Sequence, residues 1–146
     1  ERFVRRGDPY VEQTRATVQA VHAIVARWLG DQAAWWRALP GGAVPLLAFQ
    51  SRVGPVRWTG PDVAAETLRL ARAGVRRLLL QPVSFSCEHI ETLHELDVEL
   101  AGAARGWGIE QFLRGATLRV DEGWLASLAD LLARSAYAPR EAPAHA

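Results

Sequence analysis

The chain has 146 residues, 49% of them hydrophobic, which supports one domain with a core of its own and excludes two domains of ordinary size. Seventeen Lys and Arg against sixteen Asp and Glu leave a net charge of +1, so the broad basic field of a nucleic-acid binder is missing. A single Cys excludes an internal disulfide framework and any all-Cys iron–sulfur cluster held by this chain alone, and no apolar run approaches the ~20 residues of a membrane span. These features predict a cytoplasmic protein, at most peripheral at a membrane, with no tightly bound cofactor and no nucleic-acid partner.

In chain order, Val11, Thr14, Val18, Val21, Val25 and Leu29 recur at three-to-four spacing before Gly30, which predicts a long amphipathic helix. Residues 31–44, with Trp35, Trp36 and a Pro-Gly-Gly run, read as a connection. Residues 45–50 form a short apolar run between turn formers, as a buried strand does, and 51–61 are a Gly- and Pro-rich loop. Asp62 is placed to cap a second helix that Gly74 ends. Residues 77–83 read as the second strand, 87–104 as a third helix closed by Gly106 and Gly108, 109–113 as the third strand and 123–135 as the last helix.

The alternation predicts an α/β fold, a Rossmann-like parallel sheet flanked by helices, with ligands beyond the carboxyl ends of the strands. A leading helix without a strand before it suggests that the first strand of the sheet lies upstream of Glu1. One domain is expected over residues 1–136, with a disordered tail at 137–146.

The third helix carries the strongest signal. Glu88, Glu91, Glu95 and Glu99 would line one stripe of an α-helix, with Ile90, Leu93, Leu96 and Leu100 turned to a core. No basic residue lies between Arg77 and Arg105, so the ladder is unneutralised by its neighbours in sequence. Like charges at i, i+4 cost a helix a few tenths of a kcal/mol per pair, so the pattern points to a face that meets protons or a metal ion. His22, His94 and His145 have no neighbours that complete a ligand set, and Cys87 and the tryptophans at 28, 35, 36, 107 and 124 are assigned to packing. No Gly-rich strand-to-helix turn of a nucleotide binder is present.

Three blocks in order carry a resemblance to a known family: Gly7-Asp8-Pro9-Tyr10; Phe49-Gln50-Ser51-Arg52-Val53-Gly54-Pro55 followed by Trp58; and Glu88-His89-Ile90-Glu91-Thr92-Leu93 with Glu95 and Asp97. They resemble the carboxyl-terminal half of ferrochelatase, which inserts ferrous iron into a porphyrin in heme biosynthesis. Val11 stands where that family often has Pro, and Cys87 and His94 stand where other types are common.

The resemblance implies a lyase whose substrates are ferrous iron and a porphyrin, either protoporphyrin IX or coproporphyrin III. It implies Glu91 as proton acceptor or metal contact, His89 as a proton-transfer group or a group supporting the site from behind, and Glu95 and Glu99 as a proton or metal path. Tyr10, Ser51, Arg52, Val53, Pro55 and Trp58 become porphyrin contacts, Arg52 suited to a propionate and Trp58 to the flat ring. It also implies a catalytic His upstream of Glu1 as partner to Glu91, and an amino-terminal chelatase domain upstream. The alternative is a chelatase half that binds porphyrin or metal without turnover, or pairs with itself as a homodimer. Small chelatases of the cobalamin pathway, with one such half per subunit, give that alternative a physical precedent.

Overall fold

A computed structural model describes residues 8–29, 46–51 and 59–137. Helix α1 spans Tyr10–Leu29 and α2 spans Val63–Arg72; strand β1 is Arg77–Leu80. A π-helix, Glu91–Leu100, runs directly into the short α3, Ala101–Gly106, and is followed by strand β2, Gln111–Arg114, and helix α4, Glu122–Tyr137.

The local chemistry behind these elements is plain in α2. Asp62 takes an extended conformation and accepts the Ala65 N–H at 2.9 Å, closing the amino end, and Gly74 at φ 91° lets the chain leave the carboxyl end. Gly108 does the same after α3 at φ 94°, a conformation that side chains with a Cβ disfavour. At the start of α1, the Asp8 carboxylate accepts the Tyr10 N–H at 2.9 Å.

β1 and β2 pair in parallel, Arg77 with Gln111 through Leu80 with Arg114, and the π-helix and α3 make the crossover between them. This is a β–α–β unit, the building block of the expected α/β fold. Ala71 of α2, Ala104 of α3 and Ile109 form the buried centre, and Val75, Leu78, Trp107 and Phe112 pack against it. Thus α2 and α3 cover the sheet face that bears Leu78 and Phe112. Leu79 and Leu113 point the other way, as alternation along a strand requires, and remain exposed.

Three sequence-based expectations change. The strand expected over 45–50 is, among the described residues, a single bridge: Phe49 N–H donates to Pro61 O at 2.8 Å, and Val63 N–H donates to Phe49 O at 2.9 Å. Phe49 is therefore tied to the turn that opens α2. Trp28 is 83% exposed at the end of α1 and does not pack, whereas Trp107 does. Tyr137, the first residue of the expected tail, ends α4, whereas residues 138–146, Trp35 and Trp36 lie outside the described residues.

The third change concerns the acidic segment, which starts later than expected and winds wider. At its end the Ala101 N–H reaches the Leu96 carbonyl, five residues back. In this wider turn residues four apart share a face, so Thr92, Leu96 and Leu100 are buried together. Leu93, expected in the core, is 52% exposed, and Ile90 is exposed as well. No helix among the described residues is long and apolar enough to cross a membrane.

Candidate functional site

Segments far apart in the chain meet near the carboxyl ends of the two strands, where an open α/β sheet places its ligands. Tyr10 Oη lies 3.5 Å from Ser84 Oγ, just beyond β1, and its ring tilts against Phe49 with centroids 6.2 Å apart. After Phe49, Gln50 and Ser51 turn onto the π-helix. The Ser51 hydroxyl donates to Glu95 Oε2 at 2.7 Å, and the Gln50 amide donates to Glu91 O at 2.9 Å and, more loosely, to Glu95 Oε2 at 3.4 Å. Ser51 holds this contact at φ 58°, a left-handed conformation that costs a non-glycine residue about 1–2 kcal/mol.

Glu91, Glu95 and Glu99 follow one another at the four-residue spacing that the π-helix keeps on one face. Glu91 and Glu95 are half-buried. Among the described residues the Glu91 carboxylate has no hydrogen-bond or ion-pair partner, and the donors to the Glu95 carboxylate are the neutral Ser51 hydroxyl and Gln50 amide. Glu99 is exposed and lies 3.5 Å from His94 Nδ1.

His89 stands at the entrance to the helix. Its ring tilts against Phe85 at 5.6 Å, and Nε2 lies 3.2 Å from the Cys87 sulfur. Cys87, assigned to packing from the sequence, is exposed and meets the imidazole instead.

Glu88 leaves the stripe. It precedes the helix and turns back, where Oε2 accepts the Thr92 hydroxyl at 2.7 Å and Oε1 accepts Arg114 Nη1 and the Thr117 N–H, each at 3.2 Å. Arg114, at the carboxyl end of β2, also grips Asp97 in a two-pronged pair, Nε to Oδ1 at 2.6 Å and Nη2 to Oδ2 at 2.7 Å. The Thr92 hydroxyl bond, with help from the Thr117 N–H and Arg114, holds the Glu88 carboxyl down at about 2 against the upward push of burial. Arg114 is raised further above its usual value, chiefly by its bonds to Asp97 and then by Glu88.

The family model described as Ferrochelatase matches residues 1–136. The chain belongs to the ferrochelatase family. It is 40% identical over 133 residues to a ferrochelatase of Thermosynechococcus vestitus, covering 91% of this chain and 31% of that protein. It is 36% identical over 130 residues to one of Geotalea uraniireducens, covering 89% of this chain and 36% of the relative. With a ferrochelatase of Gloeobacter violaceus the identity is 40% over 126 residues, 86% of this chain and 34% of the relative. The chain thus spans about a third of the length of the curated relatives it matches.

Within this ferrochelatase segment the structure brings Tyr10, Ser51, His89, Glu91 and Glu95 to one end of the sheet and leaves Glu99 at the outer end of the helix. Arg52, Val53, Pro55 and Trp58 lie outside the described residues. Among the described residues no three His, Cys, Asp or Glu side chains are placed to hold a metal ion together. Arg114 and Thr92 were not singled out from the sequence. Arg114 sits 17 positions from Asp97 in a strand, where no local charge pattern points to it. Thr92 did carry a signal: a hydroxyl three residues after His89 can reach back to an N–H at a helix start, as in a capping box.

Proposed function

We propose that the protein acts as a ferrochelatase, inserting ferrous iron into protoporphyrin IX or coproporphyrin III during heme biosynthesis. The observation that carries the reading is the half-buried Glu91 carboxylate, unengaged among the described residues, on a π-helix at the ligand-binding end of the sheet. Metal insertion releases two pyrrole protons and strips water from the ion, so it needs a proton acceptor near the ring centre and oxygen or nitrogen donors of moderate affinity. Glu91 serves as proton acceptor and metal contact, and His89 passes the proton on. Glu95 and Glu99 continue the route along the same helix face toward solvent.

Porphyrin, in this reading, lies against Tyr10 and Ser51 together with Arg52, Val53, Pro55 and Trp58. The remaining donor to the ion, a His, comes from the sequence upstream of Glu1, and an amino-terminal chelatase domain completes the cleft. The π-helix itself supports the assignment, because such turns are rare and concentrate at functional sites.

The test is metallation of a porphyrin by the intact protein, followed by absorbance with ferrous or zinc ion, first with protoporphyrin and then with coproporphyrin. Turnover with either supports the reading and names the porphyrin. Porphyrin binding without turnover supports the non-catalytic half instead, and a dimeric solution mass then points to self-pairing.

A further inference from the structure

The Thr92 hydroxyl occupies an unusual place. It is fully buried, donates to Glu88 Oε2 at 2.7 Å, and accepts the His89 main-chain N–H at 2.9 Å. Glu88 in turn is fastened to Arg114, the last residue of β2, and to the Thr117 N–H just beyond it. The Arg119 N–H adds a bond to Ser86 O at 2.7 Å, so the whole segment before the helix is laced to the segment after β2. Asp97, on the same Arg114, fixes the middle of the π-helix to the same strand end.

A carboxylate bound at both oxygens by a hydroxyl, an N–H and a guanidinium is poorly suited to carry protons or ligate an ion. It is well suited to hold a hydroxyl in one orientation. The chain of bonds leads from the rigid strand through Arg114 and Glu88 to Thr92, and ends on the backbone of His89.

We propose that Thr92, held by Glu88 and Arg114, is the positioning residue for His89: it sets the main chain from which the imidazole projects. This rests on the ferrochelatase reading of His89 and Glu91 and assigns Glu88 to the support of the site, outside the proton path. Displacing a catalytic group by an ångström can cost about a hundredfold in rate, so a hydroxyl that touches no substrate can still matter to turnover.

The experiment compares Thr92→Val and Thr92→Ser in the intact protein, reading kcat and porphyrin KM for metallation with Tm alongside. Val keeps the buried shape and removes both bonds; Ser restores the hydroxyl. Thr92→Val is expected to lower kcat about tenfold to a hundredfold with porphyrin KM within about twofold of the unsubstituted protein, and Thr92→Ser to recover most of the rate. Unchanged kcat in a folded Thr92→Val protein overturns the inference, and so does a loss that Thr92→Ser fails to recover.

If Thr92→Val does not fold, Glu88→Gln takes its place, with the same kcat loss at unchanged KM expected and an unchanged kcat overturning it. Glu91→Gln, run in the same assay, separates the two levels. Turnover lost in Glu91→Gln but intact in the Thr92 and Glu88 variants removes the positioning role alone, whereas turnover intact in Glu91→Gln removes the functional reading beneath it.

Discussion

At one side of the π-helix, Glu88 and Asp97 share the Arg114 guanidinium at 2.6 to 3.2 Å. At the other, Glu95 meets the hydroxyl of Ser51 and the amide of Gln50, and the Glu91 carboxylate meets no partner among the described residues. The residue types are the same and the surroundings differ. A cation that arrives from β2 converts two carboxylates into fasteners, while neutral donors leave the others able to take a proton or touch an ion. The acids of this segment therefore fall into two sets by their surroundings: Glu88 turns back before the helix begins and Asp97 meets Arg114 from within it, while Glu91 and Glu95 lie on the face toward Gln50 and Ser51.

The largest effect that sharpens this comparison concerns the winding itself. Leu96, 1% exposed, is expected to lose about 3 kcal/mol of stability on substitution by Ala, and Leu93, 52% exposed, no more than about 0.5 kcal/mol. Urea unfolding of the two variants checks it, and comparable losses at both positions would mean that the segment packs as an α-helix.

Next comes the clamp. Arg114→Ala strips Asp97 of its two-pronged partner, and this arm is expected to cost about 2 kcal/mol, less than a fully buried pair because the Asp97 side chain is 34% exposed. Asp97→Asn, which keeps the shape and one acceptor, is expected to cost less in the same unfolding measurement.

How much of this was legible in the sequence varies with the range of the interaction. Helix α2 was readable almost to the residue because its signals, Asp62 and Gly74, act on their immediate neighbours. The parallel β–α–β order was readable from alternation. The π-helix was not, since the choice between closing a turn at four or five residues depends on what the segment packs against. Arg114 was hidden for a related reason: a strand delivers it across the fold, so the ladder looked bare in sequence while Glu88, one of its four acids, is paired in space together with the neighbouring Asp97. The bridge at Phe49 replaced a strand because its partner is the turn at Pro61 and Asp62 and not another extended segment.

The smallest expected effect is a pH dependence on the clamped side. Glu88 titrates at about 2 in the folded chain against an ordinary 4.5, so it contributes its stabilisation in full above pH 4.5 and loses it as pH falls toward 2. Arg114 stays charged across this window, and Asp97 is the other acid facing the guanidinium. Glu88→Gln is expected to flatten the fall in Tm over that range, and a slope equal to that of the unsubstituted protein would count against the bonds to Thr92 and Arg114 as the cause.

The most direct test of the division between the two sides is porphyrin metallation by the intact protein with Glu91→Gln, with porphyrin binding measured in parallel. Turnover that falls at least about a hundredfold while porphyrin binding is retained is the expected result, since the substitution keeps size and polarity and removes the proton acceptor. Turnover within about twofold of the unsubstituted protein would contradict it, and would mean that the unclamped face of the π-helix is not where the chemistry occurs.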